Sequence, residues 1–217
     1  MLNAMGDLFA HVRPVEKLDE GAIIFSGFCL DEAPALYAAA MGVAAKNPFR
    51  NLVTPGGHTM SVAMTNCGAA GWVSDRRGYR YDAVDPLTGT VWAPMPERFL
   101  DLARRAAEAA GFPGFAPDVC LINRYLAGTK LHLHIDRDEF DYAHPIVSVS
   151  LGLPAVFMWG GTARTDKPRR YALYHGDVVV WGGVSRRHYH GVSPLKAGMH
   201  EMTGACRVNL TFRKALR

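Results

Sequence analysis

The chain has 217 residues, 49% hydrophobic and 20% charged, with a formal net charge of +4. This composition excludes a chain too polar to bury a core, and the length fits one large domain or two small ones. No apolar run approaches the roughly 18 residues that a membrane-spanning helix needs, so no membrane partner is expected.

Cys29, Cys67, Cys120 and Cys206 stand far apart, with no C-x-x-C pair. The first residues, MLNAMGDLFAHVRP, lack a charged start followed by an apolar stretch. The cysteines therefore read as reduced thiols and the compartment as cytoplasmic.

In chain order, AIIFSGF (22–28) is a short strand. Asp31 is the expected N-cap of an alanine-rich helix to about Ala45, with Pro34 in its first turn and Asn47-Pro48 ending it. TPGG (54–57) is a turn and TMSVAMTNCG (59–68) a strand. Residues 68–96, rich in Gly, Pro, Asp and aromatics, read as one long loop, and loops of that length in a compact domain are often functional. A second helix runs from Pro96 to Ala110 and stops at Gly111. From 118 to 214 the chain turns strand-like: VCLINRYL, KLHLHID, IVSVSLGL, AVFMWG, YALYHGDVVVW, RRHYHGV and CRVNLTFRK. Short strands at short intervals predict a sandwich or double-sheet roll, and the whole chain an α+β or mainly β fold. The break at 112–117 is a change of composition, not a domain boundary.

Basic residues cluster in DRRGYRY (Arg76, Arg77, Arg80), TARTDKPRR (Arg164, Lys167, Arg169, Arg170) and SRRHYH (Arg186, Arg187). Each cluster alone is compatible with a solvated loop. Three together point to a polyanionic partner.

In LHLHIDRDEF (131–140), His132, His134, Asp136 and Asp138 alternate with apolar residues. His134 and Asp136 therefore leave the same strand face and can fill neighbouring positions of a metal shell. A third ligand can come from His188 or His190 in RRHYHGV, which spacing does not separate. Two imidazoles and one carboxylate with open positions describe the facial triad of non-haem Fe(II) oxygenases, although the same donors suit zinc. In RVNLTFR, Arg207, Asn209, Thr211 and Arg213 share one face. Two arginines on one side of an apolar strand call for an anion, and a dicarboxylate suits both. Asn123 and Tyr125 in LINRYL share a face and can add hydrogen bonds.

The chain resembles the AlkB family of Fe(II)- and 2-oxoglutarate-dependent dioxygenases. The resemblance runs from roughly LFA at 8–10 to LTFRK at 210–214. It rests on NLVTPGGHTMSVAMTNCG, CLINRY, HIDRDE, PIVSVSLGLPAVFMWGG, HGDVVVWGG, YHGVSPLKAG and CRVNLTFR. It implies a double-stranded β-helix (jelly-roll) core at about 118–214, with support helices and a nucleotide-recognition lid at about 14–111, all in one catalytic domain spanning 1–217. It also implies that His134, Asp136 and His190 hold iron. Arg207 and Arg213, with Asn123, Tyr125 and Asn209 beside them, would bind 2-oxoglutarate, and O2 would be the second co-substrate. Trp72, Tyr79, Asp138 and Arg164 would meet the target nucleotide, with Trp72 on one side of the base and His134 near the other.

The implied reaction is oxidative demethylation of 1-methyladenine- and 3-methylcytosine-type lesions in single- or double-stranded DNA, and in RNA, by a monomer. His132, His58, Phe140 and the ARTDKPRR loop depart from the family pattern. Two other readings compete: a 2-oxoglutarate oxygenase acting on a protein or small molecule, and a nucleic-acid-binding β-sandwich with an inert or zinc-filled site. Trp72 and the basic clusters oppose the first. The intact ligand and arginine set opposes the second.

Overall fold

The computed structural model describes residues 14–217; the LFA segment and the stretch read for an export signal lie outside them, apart from Pro14. The strands β1 (Glu16–Asp19) and β2 (Ala22–Phe25) precede α1 (Ala33–Lys46), β3 (Arg50–Val53) and β4 (Thr59–Gly68). Then come β5 (Gly71–Asp75), β6 (Gly78–Asp82) and α2 (Glu97–Ala109). The remainder is β7 (Val119–Leu126), β8 (Leu131–His134), β9 (Ile146–Gly152), β10 (Ala155–Trp159), β11 (Arg169–Leu173), β12 (Val178–Trp181), β13 (His190–Val192) and β14 (Cys206–Arg213). Among these residues an eight-stranded sheet runs β1-β2-β12-β9-β14-β7-β4-β3 and a four-stranded sheet β11-β10-β13-β8. This is the expected jelly roll.

Alternation along the central strands sets the layers. On β14, Val208, Leu210 and Phe212 join Val147, Val149 and Leu151 of β9 in one core with the helices. On α2, Phe99, Leu102, Ala103, Ala106 and Ala107 recur at helical spacing and form the buried stripe of that layer. The opposite face looks at the smaller sheet. There one apolar cluster joins Ile24, Ile146, Val179 and Trp181 to Phe157, Trp159 and Leu173. Another joins Val62, Met64, Leu121 and Tyr125 to Ala155 and Val192. The polar residues of β7, β9 and β14 share this inner face with both clusters.

Several expectations need correction. The N-cap of α1 is Glu32, without a side-chain cap bond, not Asp31. Residues 29–33 form a turn first, with Glu32 N–H on Cys29 O and Ala33 N–H on Leu30 O. The long loop contains the β5–β6 hairpin, paired from Gly71↔Asp82 to Asp75↔Gly78. Its two-residue turn, Arg76-Arg77, needs a positive φ at Gly78 (111°) and is held by Arg77 N–H on Asp75 Oδ1 at 2.8 Å. YALYHGDVVVW is two strands, β11 and β12, broken at Tyr174–Asp177. RRHYHGV is a strand only from His190, because 183–187 wind into a 3-10 turn.

The basic clusters are partly internal. Arg186 is 2% exposed and pairs with Glu139 at 3.1 Å. Arg80 pairs with Asp75 at 2.9 Å and Asp82 at 3.3 Å, and Arg169 pairs with Asp19. Arg76, Arg77, Arg164, Lys167, Arg169, Arg170 and Arg187 remain exposed. Arg80, Arg169 and Arg186 are taken up by carboxylates, so fewer cations are left to meet a polyanion than the sequence offers.

Candidate metal and co-substrate site

The ligand cluster forms where β8 meets β13. His190 lies opposite His134 in the register of the two strands. Gly191 makes that approach possible, since a Cβ there would sit 2.6 Å from Leu131 O. One donor atom from each of His134, Asp136 and His190 lies within 4.8 Å of the others. His134 Nε2 is 3.4 Å from Asp136 Oδ1, and His190 Nε2 is 3.7 Å from Asp136 Oδ2. His188, which spacing left open, is elsewhere. Its Nδ1 is 3.1 Å from Gly160 O, and its ring stacks on Trp159 at 5.1 Å.

Both ligand imidazoles are oriented by backbone. His134 Nδ1 is 2.9 Å from His132 O and His190 Nδ1 is 3.1 Å from His188 O. A carbonyl can only accept, so Nδ1 carries the proton and Nε2 offers its lone pair inward. The side chain of His132 is exposed, while its carbonyl orients the His134 imidazole two residues on.

Burial, then the neighbouring His134, pushes the His190 pKa down to about 3, so this imidazole is a neutral donor. For His134, burial pulls the pKa down, but the hydrogen bond and charge of Asp136 outweigh it and leave it raised from 6.5. Burial also opposes ionisation of Asp136, yet Arg213 and the two histidines hold its carboxyl well below its ordinary range. A proton on His134 competes with a metal for Nε2. We therefore expect Fe(II) affinity to fall as the pH falls and His134 takes up its proton. Titration of the apo-protein with Mn(II), followed by tryptophan fluorescence, checks this; a pH-independent affinity contradicts it.

Behind the ligands lies a buried charge network. Arg213 donates to Asp136 Oδ2 from Nη2 at 2.7 Å and from Nε at 3.2 Å, and its Nε is 3.1 Å from Glu139 Oε1. Tyr81 Oη donates to the same Glu139 oxygen at 2.8 Å. Arg186 Nη1 donates to Asp136 O at 3.0 Å. Glu139, Tyr81 and the internal role of Arg186 carry no sequence signal and emerge only in the folded chain.

Arg207 is 1% exposed. Its Nη2 donates to Ser150 Oγ at 2.9 Å, and its guanidinium lies 5.0 Å from the Tyr125 ring centroid. Its Nε and Nη1 have no hydrogen-bond partner, and neither does Arg213 Nη1. β7 and β14 pair Tyr125 with Arg207 and Asn123 with Asn209. Asn209 Nδ2 donates to Ser148 Oγ at 2.9 Å and Val149 O at 2.8 Å. Unmatched buried guanidinium N–H groups are costly, and a carboxylate supplies the missing acceptors. The donor set fits Fe(II), and the cationic recess beside it fits a dicarboxylate.

Apart from His188, all the site residues offered in the sequence analysis line one cavity of about 580 Å³. At its mouth Trp72 Nε1 donates to Asp138 Oδ2 at 2.8 Å. Trp72 stacks on Tyr79, with centroids 5.6 Å apart and planes 11° apart. Arg164 reaches the rim from the β10–β11 connection.

Comparisons with known proteins agree with this geometry. A profile of the 2OG-Fe(II) oxygenase superfamily matches residues 21–213. The chain is 57% identical over 212 residues to the alpha-ketoglutarate-dependent dioxygenase AlkB of Escherichia coli (strain K12), covering 97% of this chain and 98% of that protein. It is 32% identical over 121 residues to the nucleic acid dioxygenase ALKBH1 of Mus musculus, covering 56% of this chain and 31% of that protein. The solved structure of OsALKBH1 superposes with a TM-score of 0.82 at 28% identity, covering 93% of this chain and 100% of that one.

Proposed function

The chain belongs to the AlkB family within the 2OG-Fe(II) oxygenase superfamily, and from that premise we infer that it demethylates alkylated nucleic-acid bases oxidatively. It is an Fe(II)- and 2-oxoglutarate-dependent dioxygenase. One observation carries the substrate class: the Trp72–Asp138 wall and the ligand cluster open into a single cavity.

Iron and 2-oxoglutarate, when bound, supply the oxidation: O2 is consumed, succinate and CO2 leave, and the hydroxylated N-methyl group departs as formaldehyde. The chain supplies position and charge. His134, Asp136 and His190 hold the metal, with their lone pairs aimed by backbone carbonyls and Arg213. Arg207 gives the co-substrate carboxylate its unmatched N–H groups, and Asn123, Tyr125 and Asn209 frame the same recess. Tyr79 backs Trp72, and Asp138 fixes the indole edge, so the indole is held ready to stack on a base. Methylation at N1 of adenine or N3 of cytosine leaves a cation that cannot pair. An aromatic face and a carboxylate favour that charge, and a base that cannot pair costs less to flip.

This reading makes residues 1–217 one catalytic domain acting as a cytoplasmic monomer on methylated single- or double-stranded DNA and on RNA. Among the described residues no helix is long and apolar enough to cross a membrane. Incubation with Fe(II), 2-oxoglutarate, ascorbate and a single-stranded oligonucleotide carrying 1-methyladenine or 3-methylcytosine tests it. Each lesion should lose the mass of a methylene. Succinate formed only with a protein or small-molecule substrate would favour the rival oxygenase reading.

Asp138→Asn is expected to lower kcat/KM on cationic lesions about tenfold, within the roughly 1–4 kcal/mol of a charge pair at about 4 Å in effective dielectrics between bulk water and a protein surface. Neutral methylated bases should lose far less. Equal losses on both classes would remove the charge argument.

A further inference from the structure

A second groove, of about 390 Å³, adjoins the main cavity and shares Tyr79, Tyr81 and Asp138 with it. Its far side is built from Phe140 and the C-terminal residues Ala215, Leu216 and Arg217. Phe140 is 60% exposed, although it sits two residues from Asp138 at the mouth of the base pocket. The residue is fixed rather than loose: its N–H donates to Ala215 O at 3.0 Å. The preceding residue, Glu139, is buried against Arg213 and Arg186. The Arg217 guanidinium lies 4.4 Å from the Phe140 ring centroid. Arg80, on the same groove, is already paired with Asp75 and Asp82, so Arg217 brings the cation.

An exposed aromatic ring on pinned backbone, with a guanidinium against it, has the components of a base-stacking platform for single-stranded nucleic acid. Continuity with the base pocket selects the occupant. A strand whose target base enters the main cavity can lead one neighbouring nucleotide over the rim formed by Tyr79 and Asp138, which the two cavities share. We propose that Phe140, with Arg217, is a stacking subsite for the base of one nucleotide flanking the target. The proposal rests on the demethylase reading and deepens it: the enzyme recognises a strand, through a neighbouring base, as well as a lesion.

Trinucleotides carrying a central 1-methyladenine, with the base on one flank at a time replaced by an abasic site, test this. For wild-type protein, removing the base on one particular flank should lower affinity about tenfold, on the scale of a single stacked base. Phe140→Ala should abolish that preference for the intact flank, and Phe140→Trp should restore it. Reading the ratio between intact and abasic substrates cancels any general loss of folded protein. A wild-type ratio near unity on both flanks, or a ratio unchanged by Phe140→Ala, overturns the platform. Failure of the wild-type enzyme to demethylate any of these substrates, and longer oligonucleotides as well, instead overturns the demethylase reading and takes the platform with it.

Discussion

Replacing Arg207 by Met is expected to raise the KM for 2-oxoglutarate about a hundredfold, with the KM for a methylated oligonucleotide nearly unchanged. Arg207 is almost completely buried, and two of its three guanidinium nitrogens lack partners, while the third is tied to Ser150. Methionine fills similar space without the charge, so packing against Tyr125 is largely kept. A bound carboxylate then loses its buried cationic partner. Truncating one member of such a pair costs roughly 2–5 kcal/mol, and a hundredfold lies inside that span. Succinate production as a function of 2-oxoglutarate concentration measures the effect. Equal rises in both KM values would show that Arg207 acts on the fold rather than on the co-substrate.

Arg213→Ala should behave differently, because Arg213 is committed to Asp136 and Glu139 as well as to the recess. Its removal leaves two buried carboxylates short of a cation. Breaking a buried pair this way costs about 3–5 kcal/mol of stability. In the wild type, Asp136 ionises below its ordinary range, so its contribution is present at neutral pH and lost only as the pH falls through its folded value. Without Arg213 the charged carboxyl loses the cation that most favours it, so the penalty is largest at neutral pH, where the group is ionised. The stability gap in urea should therefore narrow as the pH falls into the carboxylate range. Adding Glu139→Gln to Arg213→Ala should recover part of the loss, because the two residues touch. A gap independent of pH, with no recovery in the double variant, would contradict this account. The same network makes Arg213→Ala a poor probe of co-substrate binding alone, since it also disturbs Asp136 in the candidate metal site.

Much of this site was legible because strand alternation is a strong signal. The row His134–Asp136 and the row Arg207–Asn209–Thr211–Arg213 each declared a face, and the structure puts those faces in one cavity. Spacing could not choose His190 over His188. The choice depends on a 3-10 turn over 183–187, after which the strand starts at His190, four residues later than RRHYHGV suggests. The β5–β6 hairpin was hidden by its glycine, aspartate and arginine content. Its signal was present in the two-residue Asp75–Gly78 turn flanked by Trp72 and Val73 on one side and Tyr79 and Tyr81 on the other.

Glu139 and Arg186 were not legible. Charged residues in loop-like segments are ordinarily exposed, and only the tertiary fold brings these two together. Ser148 and Ser150 could have been found. They alternate with Val147, Val149 and Leu151 and so declare a polar inner face beside Arg207.

If His134, Asp136 and His190 form the centre at which 2-oxoglutarate turnover is coupled to methyl removal, the loss of any one of them uncouples nothing and stops both. The most direct test measures succinate, formaldehyde and demethylated base together, for the wild type and for His190→Ala, on an oligonucleotide carrying 1-methyladenine. The wild type should release the three products in equal amounts, and His190→Ala should reduce all of them to background while remaining folded. Demethylated base accumulating with His190→Ala, or appearing without succinate in the wild type, would contradict it.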